Sequence, residues 1–557
     1  MTHTLKPRIL AALALAMALV CRADVAPLRI AYNYCTLSYT FAYLSESDWS
    51  REIDRLADAG YNVALVTDGT FKVWQMTLRE LGYGEDEIFA FIPDECARAW
   101  WLMANLTGEG GPLDQATIDA DGERGRFICE KMRERGIEPI LHGYVGMMPL
   151  GHPTAIPQGQ WSCYERPPML DPTGEEFAKV AAIWHKNLKV VYGFEPKYLA
   201  GDLFHEGGKT AGIDVTEATR AVQSAQQAAF PGVTWVVQAW QANPTPAVRA
   251  GLDPRYTLIE VLVKDMSAFD ADDSVCDLDF GDLPWVWCEV LNFGGNHGLY
   301  GNLKTFARLG RAAKGRGART FRGYGSLSEG YFTNPVCYAL FEEMMMRETG
   351  SEMSDAELAD WLESWVEKRN DFKNPMLSEA WRILAETVYA CPRCQEGTVE
   401  NVMCALPSFS ADNASTWGPR GGLWYSPAML ERAAALLSKC GARREDFVDV
   451  YRQCLANRAR ALMPWLESDV KARLEFLDLI ELEHRLLAPA PQFRLSTYEA
   501  QARARAGERG ASAFRRMVTT WTSRRYGTTS LTDYANREYS ELLGGYYLPR
   551  WRRFLLR

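Results

Sequence analysis

Two glutamates stand beside glycine at points where predicted strands give way to loops. Glu206 follows the apolar run 198–204, and Glu329 follows the run 320–324. Glycoside hydrolysis requires two carboxyl groups on opposite sides of a bond, because one protonates the leaving oxygen while the other attacks or activates water. A single glutamate in a loop is more often a solvated residue. The pair is therefore a candidate for this chemistry, which the surrounding elements must support.

Other reactive motifs have less support. The seven histidines show no HExxH or comparable metal-ligand spacing, and there is no G-x-S-x-G nucleophile elbow. The loop 292–301, with the sequence NFGGNHGLYG, lacks the Gly-Lys-Ser/Thr of a phosphate-binding loop and does not fit the dinucleotide fingerprint. We therefore expect neither a metal site nor an organic cofactor.

The spacing of two cysteines and the net charge argue against further classes of site and partner. Cys391 and Cys394 have C-x-x-C spacing but follow a helical stretch, so a local structural disulfide is preferred over a redox motif or half a zinc site. The net charge of -10 and the absence of long basic runs argue against nucleic acid or an anionic membrane as partner.

The N-terminus resembles a secretory signal peptide. A basic stretch is followed by the apolar run 9–20 and a small residue at Ala23, which predicts a signal peptide over residues 1–23 and an exported, periplasmic or extracellular protein. A lipoprotein modified at Cys21 is the weaker alternative, because Val20 is bulkier than the residue expected there. No other apolar run approaches the roughly 20 residues that span a bilayer.

The elements that would position the two glutamates follow a repeating pattern. Amphipathic helical stretches end at glycine and are followed by short β-rich runs, and glycine ends a helix readily because it accepts the left-handed conformation. About eight such strands favour a (β/α)8 barrel over residues 24–345, with an open doubly wound sheet as the alternative. Residues 346–557 show helical periodicity without strand signals, which predicts an all-α domain packed on the barrel.

Several long motifs recur in the order and spacing of a known family. They are NYCTLSYTF (33–41), WWLMANL (100–106), WCEVLNFGGNHGLYG (287–301), DYAN (533–536) and YYLPRW (546–551). From about residue 30 to the C-terminus the chain resembles the α-N-acetylglucosaminidases of glycoside hydrolase family 89. The resemblance implies a barrel with a C-terminal helical domain. It also implies removal of terminal, non-reducing α-linked N-acetylglucosamine (GlcNAc) with retention of configuration, so that the expected partner is a glycan ending in α-GlcNAc.

The resemblance also assigns roles. Glu206 matches the family's acid/base and Glu329 its nucleophile. Our strand count places Glu329 after the eighth strand, whereas many related barrels place the nucleophile after the seventh; we follow the motif. In this mechanism Glu206 is expected to have a raised pKa, so that it holds its proton, and Glu329 to attack as a carboxylate.

The family's sugar pocket is a small closed slot with aromatic walls and asparagine amides. The matching positions are Asn33, Cys35, Tyr39, Trp100, Met103, Asn105, Trp161, Trp240, Trp521 and Tyr534. We add His205, beside the acid/base, and Asn292, which together with Asn296 is placed to hold neighbouring loops or a sugar hydroxyl. By residue type alone each of these positions also suits a core role, and Cys35 suits an inert small residue.

The chain departs from the family's lysosomal members at Phe71, Met147 and His205. These departures leave open a glycosidase with altered sugar preference. A non-catalytic glycan-binding protein on a degenerate barrel is the other alternative, and the retention of both glutamates argues against it. The first strand begins within about five residues of the predicted cleavage point, so the small N-terminal domain common in the family is expected to be absent. The attached glycan and the oligomeric state are left open.

Overall fold

The computed structural model describes residues 26–210, 212–263, 278–331, 333–391, 401–411, 423–520 and 537–557. Four of the features predicted above lie outside the described residues: the signal peptide, Cys394, Trp521 and Tyr534. The predictions on them stay predictions.

Eight parallel strands close into a barrel, in which each strand pairs with the next along the chain and the eighth pairs with the first. The strands are β1 (Leu28–Ala31), β2 (Val63–Val66), β3 (Glu138–His142), β4 (Tyr198–Ala200), β5 (Thr234–Ala239), β6 (Thr257–Val263), β7 (Trp285–Glu289) and β8 (Phe321–Ser326). The predicted (β/α)8 barrel is confirmed, and the open doubly wound sheet is wrong. Closure brings the carboxyl ends of all eight strands to one face, where barrels place their sites.

The helices around the barrel follow from caps and apolar spacing. Glu46–Asp58, for example, begins at Ser45, whose side chain accepts from the N–H of Asp48, and it buries Ile53 on the barrel side. Gly60, with φ of 87°, then turns the chain into β2. The helices of this region are Tyr34–Tyr39, Glu46–Asp58, Thr70–Glu80, Glu85–Phe91, Arg98–Leu102, Gln115–Glu134, Glu175–Tyr192, Val215–Ala229, Pro246–Gly251, Leu303–Ala307 and Pro335–Met346.

The rest of the described chain is helical. Its α-helices are Asp355–Asn370, Pro375–Glu386, Pro427–Leu437, Arg444–Leu462, Val470–Leu487, Leu495–Met517, Ser540–Leu542 and Leu548–Leu555, with a π-helical turn at Leu543–Tyr547. Among the described residues, no helix is both long and apolar enough to cross a membrane.

Ion pairs join the helical region to the barrel. Arg509 contacts Asp94, and Arg516 contacts Glu109 at 2.5 Å, in the loop that follows β2. Arg516 also donates to the hydroxyl of Tyr164 at 2.5 Å. Tyr164 belongs to a two-stranded hairpin after β3, in which it pairs with Trp161. The helical region therefore supports loops at the carboxyl end of the barrel.

Candidate functional site

A cavity of about 210 Å³ opens at the carboxyl ends of the strands. Residues from the end of every strand, or from the loop that follows it, line the cavity. They include nine of the predicted site residues: Asn33, Cys35, Trp100, Met103, Trp161, His205, Glu206, Trp240 and Glu329. Sequence reasoning missed the others, which are Tyr34, Gln238, Gln241, Leu262 and Phe293.

Asn33 is placed by the cap of the first helix. Its side-chain oxygen accepts from the N–H of Thr36 at 3.0 Å, and its amide donates to the carbonyl of Leu327. Thr36 in turn donates its hydroxyl to the carbonyl of Ser328. The loop after β1 is thereby fastened to the segment that leads to Glu329.

Glu206 is surrounded by hydrogen-bond donors from three loops. One oxygen accepts from the amide of Asn105 at 2.8 Å and from the indole of Trp161 at 2.9 Å. The other accepts from the indole of Trp240 at 3.1 Å and from the amide of Gln241 at 3.2 Å. Four donors fix the carboxyl group in position and stabilise its ionised form.

His205 and Arg166 lie behind Glu206. Nδ1 of His205 lies 3.2 Å from a carboxylate oxygen of Asp202, and its Nε2 lies 3.8 Å from the nearer oxygen of Glu206. Neither contact is a well-aligned hydrogen bond. Arg166 donates to the carbonyls of His205 at 2.9 Å and Glu206 at 2.7 Å, which fixes the backbone of the loop.

These contacts move the pKa of Glu206 in the direction opposite to the expectation. Burial raises it, but the charge of His205, hydrogen bonds from Asn105 and Trp240 and the charge of Arg166 together hold the pKa of Glu206 below its usual range. The expected raised pKa is therefore not met. The same contacts act on His205: burial lowers its pKa, but Asp202 and Glu206 outweigh burial and raise it.

Glu329 lies across the cavity, three residues beyond β8, so the strand count made from the sequence is right. Its carboxylate accepts from the backbone N–H of Gly294 at 2.6 Å. The carbonyl of Gly294 accepts from Arg537 at 2.6 Å, and Arg537 is itself buried. The glycine-rich loop thus touches Glu329 directly, and the helical region holds that loop from behind.

A second acidic residue, Glu289, ends β7 but does not line the cavity. Its side chain is fully buried and accepts from the hydroxyls of Ser326 and Ser328. Burial, only partly offset by these serines, raises the pKa of Glu289 to about 7. Glu289 therefore joins the end of β7 to Ser326 and Ser328, in the segment that leads to Glu329.

Three predicted residues lie beside the cavity rather than in its lining. Asn105 reaches Glu206 directly. Tyr39 is buried behind Trp100, with the ring centroids 4.8 Å apart. Asn292 donates its amide at 2.8 Å to the carbonyl of Asn296 and to the hydroxyl of Thr333. Asn292 therefore joins its own loop to the loop after β8, which is the first of its two predicted roles.

The departures from the lysosomal pattern fall into two groups. Phe71 is fully buried under the guanidinium of Arg98, which lies 4.0 Å from its ring centroid, and Met147 is buried beside Met169. Only His205 of the three lines the cavity. Cys35 also lines it, and burial, with the charges of Glu329 and Glu206, raises its pKa well above the usual value, which keeps the thiol neutral.

Within the described ranges, no group of three or more histidine, cysteine, aspartate or glutamate side chains is placed to hold a metal ion.

Comparison with known proteins decides the family. The sequence profile of the α-N-acetylglucosaminidase (NAGLU) TIM-barrel domain matches residues 29–348, and that of the corresponding C-terminal domain matches residues 361–557. The chain belongs to the α-N-acetylglucosaminidase family. It is 28% identical over 566 residues to the human α-N-acetylglucosaminidase, covering 96% of this chain and 75% of that protein.

Solved structures of the α-N-acetylglucosaminidase family share the fold. A family 89 glycoside hydrolase from Clostridium perfringens, in complex with 2-acetamido-1,2-dideoxynojirmycin, superposes with a TM-score of 0.88 at 30% identity. The match covers 95% of this chain and 63% of that chain. A variant of the C. perfringens enzyme with two Glu→Gln substitutions, in complex with its substrate GlcNAc-α-1,4-galactose, matches at 29% identity with a TM-score of 0.88, covering 95% of this chain and 62% of the other.

Proposed function

We propose that this protein is a retaining exo-glycosidase that removes terminal, non-reducing α-linked GlcNAc from glycans. One observation carries the proposal: two carboxyl groups, Glu206 from the loop after β4 and Glu329 from the loop after β8, line one cavity of about 210 Å³. We propose that this cavity holds the terminal sugar ring. Membership of the α-N-acetylglucosaminidase family supports the choice of sugar.

Glu329 is proposed as the nucleophile and Glu206 as the acid/base. In the first step the carboxylate of Glu329 bonds to the anomeric carbon while Glu206 gives its proton to the departing oxygen. In the second step water gives a proton to Glu206, its hydroxyl bonds to the anomeric carbon, and the bond to Glu329 breaks. The N–H of Gly294, 2.6 Å from Glu329, orients the nucleophile.

The lowered pKa of Glu206 is compatible with an acid role if sugar binding changes it. A sugar that fills the cavity displaces solvent from around the carboxyl group, and desolvation raises the pKa of a carboxyl group. Glu206 is then expected to take up a proton as the sugar binds. Burial is already the largest influence on its pKa and acts in this direction.

The walls of the cavity fit a pyranose with an acetamido group. Trp100, Trp161, Trp240 and Phe293 offer aromatic surface to the apolar faces of a sugar, and Gln238 offers an amide. Trp240 packs against Phe293 with ring centroids 5.8 Å apart, which ties the loop after β5 to the loop after β7. The C. perfringens relative in complex with GlcNAc-α-1,4-galactose supports the assignment of an α-linked GlcNAc at a chain end.

A panel of aryl glycosides tests the proposal. We expect the purified protein to hydrolyse the aryl α-GlcNAc substrate and to release the α-anomer first, which proton NMR detects before mutarotation. Preference for an aryl α-glucoside or α-galactoside would instead establish altered sugar preference. Binding without turnover of any member would establish a glycan-binding protein.

We also propose that the protein is exported after cleavage of residues 1–23, on the basis of the N-terminal sequence. N-terminal sequencing of the protein recovered outside the cytoplasm is expected to begin near Asp24. Recovery with Met1 intact in the cytoplasm would contradict export.

A further inference from the structure

His205 and Asp202 form a buried pair directly behind the proposed acid/base. Asp202 is 7% exposed and His205 5% exposed. The other oxygen of Asp202 accepts from the backbone N–H of Gln238 at 3.0 Å, so the carboxylate is held against the loop after β5. This leaves one oxygen for Nδ1 of His205 at 3.2 Å, with Nε2 of the same ring turned toward Glu206 at 3.8 Å.

We infer that Asp202, His205 and Glu206 act as one unit that holds a single exchangeable proton in the working enzyme, with His205 as a positioning residue for Glu206. The inference rests on the proposed acid/base role of Glu206. With the proton on His205, Glu206 is a carboxylate beside an imidazolium ion. With the proton on Glu206, His205 is neutral and the acid is ready to donate. Asp202 keeps the ring oriented in both forms.

The charged groups around His205 favour this arrangement. Asp202 and Glu206 stabilise the imidazolium form, and Arg166, which binds the carbonyl of His205, opposes it. Glu329 lines the same cavity as His205. Tyr34 and Cys35, from the loop after β1, have pKa values raised well above their usual ranges by burial and stay neutral. Behind Asp202, burial and the charge of Asp202 raise the pKa of Glu260 to about 8.

The unit predicts which group controls the alkaline limb of kcat/KM. The first step needs the proton, so kcat/KM falls when the unit loses its last proton. Because its pKa is raised, His205 keeps that proton at a pH above the usual pKa of histidine. Without the imidazole, the last proton rests on Glu206 alone and is lost at a lower pH.

Two conservative variants and a control test the inference through the pH profile. We expect His205→Asn and Asp202→Asn each to move the alkaline limb to lower pH by about one unit or more, since an opposite charge at this distance shifts a pKa by 1–3 units. Asn at 202 still accepts from Gln238. The control is His152→Asn. His152 does not line the cavity, and its Nε2 lies 3.1 Å from a carboxylate oxygen of Glu176. An alkaline limb that stays in place, or moves upward, in His205→Asn would overturn the inference.

A second measurement does not depend on turnover. Proton–nitrogen NMR of the imidazole rings, with His205 assigned by its loss in His205→Asn, is expected to show a titration midpoint above 6.5 in the wild type and a lower one in Asp202→Asn. Equal titration midpoints in the two proteins would overturn the inference that these residues act as one unit. If the wild type hydrolyses no aryl glycoside, the proposed function fails, while the NMR titration still decides whether the pair exists.

Discussion

The backbone N–H of Gly294 donates to the carboxylate of Glu329 at 2.6 Å. The glycine-rich loop is therefore part of the site and not merely a rim that encloses it. Arg537, from the helical region, binds the carbonyl of the same glycine and also lies over the ring of Tyr39, 4.8 Å from its centroid. One arginine thus positions the loop that contacts the proposed nucleophile.

Gly295→Ala is expected to reduce activity through this contact. Gly295 has φ of 65°, and a Cβ there would overlap the guanidinium of Arg537, which is 1% exposed and has little room to move. Displacement of the loop by a fraction of an ångström moves Gly294 away from Glu329, and we expect kcat/KM to fall by about tenfold to a hundredfold.

The matched control for this variant is Gly281→Ala. Gly281 has φ of 66°, but no atom lies within 4 Å of an added Cβ. Gly281→Ala therefore places alanine at a positive φ, as Gly295→Ala does, but without the steric overlap. Equal activity in the two variants would show that the contact between Arg537 and the loop is unimportant.

The roles of the two glutamates are separable by leaving group. Glu329→Gln is expected to lose nearly all hydrolysis of every aryl α-GlcNAc, because no carboxylate remains to attack. Glu206→Gln is expected to lose far more activity on poor leaving groups than on dinitrophenyl, which departs without a proton. Rates across a series of phenols give the measurement, and thermal unfolding shows that both variants fold. A similar dependence on leaving group in the two variants would contradict the assignment.

Trp240→Phe removes one donor from Glu206 while it keeps an aromatic wall. The indole lies 3.1 Å from the carboxylate and helps to hold it in position for proton transfer. We expect kcat/KM to fall roughly tenfold to a hundredfold, because the acid/base is no longer well placed, with little change in the unfolding temperature. Trp465→Phe, at a tryptophan 60% exposed on the helical region, is the control and should match the wild type. A Trp240 variant with full activity would show that the indole does not act on Glu206.

Glu289 is predicted to make the protein less stable as the pH rises. Its pKa is about 7 in the folded protein, against 4.5 for the unperturbed side chain, so the folded state binds more protons between these values. The stabilisation present below pH 4.5 is therefore lost as the pH rises to 7, and it amounts to about 3 kcal/mol in the free energy of unfolding.

Glu289→Gln is expected to remove this part of the pH dependence, because glutamine mimics the protonated acid. Denaturant unfolding at pH 4.5 and pH 7.5 measures the difference. Glu363→Gln, on the exposed side of helix Asp355–Asn370, should keep the wild-type dependence. Since Glu289 lies outside the cavity, its variant should also turn over substrate, in contrast to Glu329→Gln. An unchanged pH dependence would contradict the raised pKa.

The barrel was predictable because its signals are local. Glycines such as Gly60 and Gly136 end helices immediately before β2 and β3, and the rule that chemistry lies at strand ends pointed to Glu206 and Glu329. The same rule could have found Gln241, which follows Trp240 after β5.

What could not be predicted depends on groups from distant parts of the chain. The sign of the pKa shift at Glu206 depends on donors such as Asn105 and Trp240, which only the closed barrel brings together. Nor does residue type reveal that Phe71 and Met147 are buried in the core instead of lining the cavity. The motif resemblance supplied most of the site, because periodicity alone does not separate a wall tryptophan from a core one.

The size of the cavity determines how such an enzyme would process a polymer. If the cavity of about 210 Å³ holds the terminal sugar as proposed, the enzyme would engage only the last residue of a chain, so its output would be set by the number of chain ends and not by the mass of glycan. An endo-acting glycosidase that cuts the same polymer internally would increase the number of chain ends on which this enzyme acts. A chain whose last sugar does not enter the cavity would not be shortened from that end.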